Sequence, residues 1–196
     1  LPLPGGGVHP LPDFTAGAFA AETSMFLDWY LPHAGGGTAS EAMRADYAGL
    51  WDDLIGRLGG KERGWVLLDF HSPHLLWLAE RAGIARLGII DSQDLMVGPS
   101  AYDVASLCQD ARATVPPELE AALVARYVAA RRTAGPRFDA EAFAEAYAIL
   151  TVQRATKILG IFARLADGAG RTGYLRHIPR LRAYLDRSLA HPAMTR

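Results

Sequence analysis

The chain is poor in cysteine and lysine, carries almost no net charge, and nowhere strings together enough apolar residues to cross a bilayer. Its 196 residues include a single cysteine, Cys108. That excludes an internal disulfide and a multi-cysteine zinc site, and it suits a reducing, cytoplasmic setting. A lone thiol of this kind reads first as a small buried residue and only then as a nucleophile. Charges, glycines or prolines break every apolar run well short of the roughly 20 residues a membrane-spanning helix needs. The formal net charge is −1, from 20 basic and 21 acidic residues, so there is no overall positive field to draw nucleic acid or an anionic membrane, and neither is expected as a partner. The Pro- and Gly-rich start, Leu1 to Pro12, lacks the basic and then apolar order of a signal peptide. Residues 1–12 are expected to be a linker or hinge remnant, and residues 13–196 a single domain.

With half of its residues apolar, the chain can bury a sizeable core. Phe19, Phe26 and Tyr30 recur at near-helical spacing and predict a helix over Thr15 to Leu31, stopped by Pro32 and Gly35-Gly36-Gly37. A second helix is expected from Thr38, with Glu41 at capping-box spacing, to Gly59-Gly60. Three short apolar runs follow: Trp65 to Asp69, Leu75 to Leu78, and Leu87 to Asp91. They read as one small patch of three strands. After Gly98-Pro99 the helical pattern returns, over Ser100–Arg112, Pro117–Arg132, Asp139–Leu165 and Tyr174–Leu189. Pro117 suits a first turn and Pro179 should kink or divide the last helix. The expected fold class is therefore α+β, mostly α, with a three-stranded β patch.

The densest polar cluster is Asp69-Phe70-His71-Ser72-Pro73-His74, answered by Asp91-Ser92-Gln93-Asp94. Both follow strands. On neighbouring strands, Asp69 and Asp91 would emerge from one edge, close enough to share a divalent cation and a phosphate. Two such acids are costly to bury without a cation or hydrogen bonds. Loop capping is the plain alternative for both acids. His71, His74 and Asp91 could instead occupy three positions of a zinc site, although their spacing matches no recognised ligand pattern. Gly5-Gly6-Gly7 and Gly35-Gly36-Gly37 do not lie between a strand and a phosphate-binding helix, which excludes a P-loop.

The string LLDFHSPHLLWL, followed by GIIDSQDLMVGPSAYDVASLCQDAR, resembles the catalytic and metal loops of aminoglycoside phosphotransferase-like kinases. The similarity is nearest to the branch that includes bacterial cell-wall amino-sugar kinases. TKILGIFARLA and YLRHIPRLRAYLDRSLAHP resemble the same branch, so the similarity runs from FLDWYLP to His191-Pro192. It implies a protein-kinase-like C-terminal lobe, ATP and Mg²⁺ as cofactors, and a small sugar or amino sugar as substrate. By residue, it implies that Asp69 orients or deprotonates the sugar hydroxyl and that His71 orders the loop or moves the proton. It further implies that Asp91 and His74 occupy the metal and nucleotide positions and that Asp94 faces substrate.

Three features of the loops depart from the family's pattern. His74 stands where the family has asparagine, Leu67-Leu68 where it has a polar pair, and Ser92 where it has an aromatic residue. The kinases of this family also carry a preceding β-rich lobe whose lysine contacts ATP phosphates. The only two lysines here, Lys61 and Lys157, lie in no such context. A separate N-terminal lobe or partner chain is therefore expected to complete the cleft, and the isolated chain is expected to turn over little. The alternative is a degenerate kinase-like module that binds a ligand or partner without catalysis.

Overall fold

A computed structural model describes residues 5–195; Leu1 to Pro4 of the expected linker, and Arg196, lie outside the described residues. Apart from Ala101–Cys108, each main helix begins at a capping side chain or carries a proline in its first turn. In α1 (Ala16–Met25) the Thr15 hydroxyl accepts from the Ala18 N–H. The helix then widens into a π turn, Phe26–Tyr30, and ends in the short α2 (Leu31–His33), which takes in Pro32. α3 spans Glu41–Gly56 and is capped by Ser40, whose hydroxyl accepts from Met43 N–H, in place of the expected cap at Thr38. α4 (Ala101–Cys108) stops at Gln109, short of the expected Arg112. α5 (Pro117–Ala134) starts on its proline.

α6 (Ala140–Ala169) is the axis of the fold, capped by Asp139 and closed by Gly170 in the left-handed conformation. Every residue from Ala148 to Thr156 is buried, so α6 is surrounded on all sides. α1 and the π turn, α4, and α7 (Ile178–Leu189) all pack on it. Ile149 and Leu150 join Phe14, Phe19, Val66 and Tyr102 in one core cluster, and Leu159, Phe162 and Leu181 form a second. Gly160 allows the closest helix approach: a Cβ there would lie 2.4 Å from the Met25 carbonyl oxygen. Pro179 does divide the expected last helix, into a 3₁₀ segment Thr172–His177 and α7. Cys108 is buried, and burial pushes its thiol up to about 11, in keeping with a packing role.

The single three-stranded patch is corrected to two antiparallel pairs. β1 (Arg63–Val66) pairs with β4 (Met96–Pro99), a strand the sequence did not reveal, and β2 (Leu75–Trp77) pairs with β3 (Leu87–Ile89). The chain just before α1 lies along β4, with Val97 N–H donating to Pro12 O and Phe14 N–H to Val97 O, both at 2.9 Å. β1 ends at Val66, not Asp69. The next two amides bond to the Asp103 carboxylate instead of a neighbouring strand, and Leu68 turns the chain at φ 64°.

Candidate active site

Two acids that sequence reasoning overlooked hold the loop between β1 and β2 at both ends. Asp103, in the first turn of α4, accepts from Leu67 N–H at 2.7 Å and from Leu68 N–H at 3.2 Å. Burial pushes its carboxyl up, against the pull of the Leu67 bond. Asp110, fully buried just past α4, accepts from Ser72 N–H at 2.7 Å and from Arg112 and Ala113 N–H at 2.6 and 3.0 Å. Burial alone would raise its carboxyl; the bonds from Ser72, Arg112 and Ala113 outweigh it and hold the group below the usual range. Asp110 thereby also ends α4, because its side chain supplies the turn that follows. On the other side, the Arg154 guanidinium donates to Leu68 O at 3.2 Å and lies 5.0 Å over the Tyr102 ring.

Between these anchors the structure brings Asp69, His71 and His74 together, with donor atoms all within 4.8 Å of one another. His71 Nδ1 is 2.8 Å from Asp69 Oδ1. The bond from His71 holds the Asp69 carboxyl below its ordinary range, with burial opposing it and the charges of His71, His74 and Arg154 assisting. Asp69 thus stands ionised, half-exposed and fixed in orientation, as a group that receives a proton must be. His74 stacks on His71 at 4.1 Å between ring centroids. Its Nδ1 is 2.9 Å from Asp69 O and its Nε2 is 3.4 Å from Asp91 Oδ2, so an imidazole lies between the two acids. Gln93 donates to the other Asp91 oxygen at 2.7 Å. Of the alternative zinc set, His71 and His74 cluster with Asp69; Asp91 meets His74.

Asp69, His71 and Asp94 line a cavity of about 440 Å³ that extends from the loop to α6. One wall is polar, with Glu22, Arg154 and Lys157; another is apolar, with Ile158, Ile161 and Phe162. Lys157 pairs with Glu22 at 2.5 Å, and Gln153 donates to the other Glu22 oxygen at 2.8 Å. His71 Nε2 and Arg154 Nε are buried without a hydrogen-bond partner among the described residues. A second, more open hollow of about 660 Å³ lies between the chain before α1 and the Ser92–Met96 segment, and Leu68 and Asp94 line both spaces.

Mg²⁺ takes hard oxygen ligands and keeps near-octahedral geometry. Asp91 supplies a carboxylate, but the donor beside it is the His74 imidazole nitrogen, where an oxygen would serve Mg²⁺. This donor set does not fit Mg²⁺.

An anchored loop aspartate beside a mixed polar and apolar cavity is the arrangement of a site for a small polar molecule. Residues 6–147 match the APH family, described as the phosphotransferase enzyme family, and the chain belongs to it. Among individual relatives, it is 36% identical over 189 residues to the N-acetylmuramate/N-acetylglucosamine kinase of Caulobacter vibrioides, covering 96% of this chain and 51% of that protein. Proteins of the same name from Pseudomonas aeruginosa and Neisseria meningitidis are 34% and 32% identical, over 92% and 90% of this chain and 52% of each relative. The chain spans about half the length of these relatives. Among the described residues, no helix is long and apolar enough to cross a membrane.

Proposed function

We propose that this chain supplies the catalytic and acceptor half of an ATP-dependent phosphotransferase acting on a hydroxyl of an amino sugar. The carrying observation is the Asp69 carboxylate, anchored through its loop by Asp103 and Asp110 and facing the 440 Å³ cavity. A cavity of this size holds a small ligand. The apolar side (Ile158, Ile161 and Phe162) suits the face of a sugar ring or an acetamido methyl group. The polar side (Glu22, Arg154 and Lys157) suits its hydroxyls and amide.

In this reading Asp69 accepts a hydrogen bond from the acceptor hydroxyl and takes its proton as the oxygen attacks the γ-phosphorus of ATP and the bond to the bridging oxygen breaks, releasing ADP; His71 keeps the carboxylate turned toward that hydroxyl. The nucleotide's phosphates approach from the second hollow, which shares Leu68 and Asp94 with the first, so both substrates meet beside Asp69. Phosphoryl transfer depends chiefly on positioning and electrostatics. A further lobe, preceding in the same polypeptide or from a partner chain, completes the phosphate side. Support for such a lobe comes from Trp77, Leu87 and Ile89, exposed apolar residues that the β2–β3 register places on one face, a type of surface that marks interaction sites.

The test compares this chain with a longer polypeptide that contains it, measuring ATP-dependent phosphorylation of N-acetylglucosamine and N-acetylmuramate. Phosphorylation by the longer form, with weak or absent turnover by the chain alone, is expected. Inactivity of both, under Mg²⁺, Mn²⁺, Co²⁺ and Zn²⁺ alike, refutes the enzymatic reading. The second reading, a binding module without catalysis, is favoured by the His74 ring lying between Asp69 and Asp91. It predicts saturable sugar or nucleotide binding by the longer form with no phosphorylated product.

A further inference from the structure

We propose that His74 and Asp91 form a chelating pair for a divalent cation of the zinc and cobalt class, and that this chain departs here from the Mg²⁺ preference its family implies. The starting observation is a contact that sets the tautomer. His74 Nδ1 lies 2.9 Å from the backbone carbonyl oxygen of Asp69. A carbonyl oxygen can only accept, so Nδ1 carries the proton, and Nε2 of the neutral ring presents a lone pair. That lone pair faces a second acceptor, Asp91 Oδ2, at 3.4 Å. Two acceptors so placed repel each other, and a positive species between them, either a proton on Nε2 or a metal ion, turns that repulsion into attraction.

The separation favours the ion. A charge-assisted hydrogen bond would draw the two atoms to about 2.7–2.9 Å. Two ligands each about 2.0–2.1 Å from a tetrahedral zinc ion stand about 3.3 Å apart, whereas adjacent ligands of octahedral Mg²⁺ stand about 3.0 Å apart. Donor chemistry points the same way, since imidazole suits borderline transition ions and Mg²⁺ does not seek it.

The surroundings hold both donors in place. The carbonyl behind His74 is the kind of support that orients a metal-binding imidazole. Gln93 occupies Asp91 Oδ1 at 2.7 Å, leaving Oδ2 to face His74. Asp91 itself adopts φ 62°, a left-handed conformation that is strained for a residue other than glycine and tends to occur at functional sites. Its side chain is 43% exposed, which leaves the remaining coordination positions open to water or a phosphate oxygen. Asp69 and His71 also come near His74, but their 2.8 Å contact is already a satisfied hydrogen bond. The unsatisfied pair is His74 with Asp91, and the inference needs no assignment of the acceptor cavity.

The test is calorimetric titration of Co²⁺, Zn²⁺ and Mg²⁺ into this chain near neutral pH, with the visible absorption of bound Co²⁺ as a second readout. One Co²⁺ or Zn²⁺ is expected to bind at least about tenfold more tightly than Mg²⁺. His74→Asn and, independently, Asp91→Asn should each weaken Co²⁺ at least about tenfold and abolish its absorption band. Binding at other histidines persists in both variants and cannot mimic that loss. Co²⁺ affinity unchanged in both variants, or Mg²⁺ bound as tightly as Co²⁺, would overturn the proposal and leave an imidazolium–carboxylate ion pair in its place.

Discussion

Replacing Asp103 by asparagine should loosen the whole active-site loop although residue 103 touches no substrate. The carboxylate now accepts two backbone N–H bonds, from Leu67 at 2.7 Å and Leu68 at 3.2 Å. Asparagine has one oxygen, so it keeps one of these bonds and turns its own NH₂ toward the other donor. A hydrogen bond to a charged group contributes roughly 1.5–3 kcal/mol and a neutral one about 1 kcal/mol, so losing one and weakening the other costs about 2–4 kcal/mol. Relief of burying a charge returns part of that, because burial already disfavours the ionised Asp103. The net destabilisation is about 2–3 kcal/mol, equivalent for a chain of this size to a fall in Tm of roughly 4–12 °C. Thermal unfolding measures the fall. Amide exchange localises it, since Leu67 and Leu68 should lose protection before the α6 amides do. In the longer polypeptide, kcat should drop on the order of a hundredfold, the usual consequence of misplacing a catalytic group by about 1 Å. A variant with unchanged Tm and unchanged Leu67 and Leu68 exchange would refute the anchoring role.

Gly160→Ala should destabilise the chain by about 1–2 kcal/mol, because overpacking against the Met25 backbone outweighs the roughly 1 kcal/mol that alanine gains in a helix. Gly49→Ala, with nothing within 4 Å of its Cβ, should instead raise stability by about 1 kcal/mol; denaturant midpoints compare the two, and a stabilising Gly160→Ala would contradict the helix contact. His71→Ala removes the bond that chiefly holds the Asp69 carboxyl below the ordinary range. The acid limb of kcat/KM should therefore move to higher pH in the variant. The stability contributed by ionised Asp69 is present above the ordinary carboxylate value and lost as pH falls through the lowered one, so His71→Ala should also narrow that acid-side window. An acid limb that stays in place would count against the His71–Asp69 bond.

The helices were largely legible because their apolar periodicity is long and their starts carry local signals. Asp139 and Pro117 mark the beginnings of α6 and α5 in the sequence itself. Ser40 displaced Thr38 as the cap of α3, a difference of two residues that local spacing leaves open. The β patch was less legible. β4 contains Gly98 and Pro99, residues that argue against a strand, and its pairing with β1 joins residues 30 to 36 positions apart. Leu67 and Leu68 look like strand residues, yet their amides belong to Asp103, 36 and 35 residues away. The cluster of Asp69, His71 and His74 was visible because it is local in sequence. Asp103, Asp110 and Arg154 were missed for the opposite reason: each acts on the loop across a long stretch of chain. Buried polar residues in the middle of an apolar helix, as at Gln153 and Arg154 in α6, were the available signal.

The most direct measurement is the turnover of Asp69→Asn in the longer polypeptide, alongside amino-sugar binding to this chain carrying the same substitution. If Asp69 receives the acceptor's proton, kcat falls by about 10²–10⁴ while sugar affinity stays within a few-fold. Turnover within a few-fold of the unsubstituted protein would place the chemistry elsewhere.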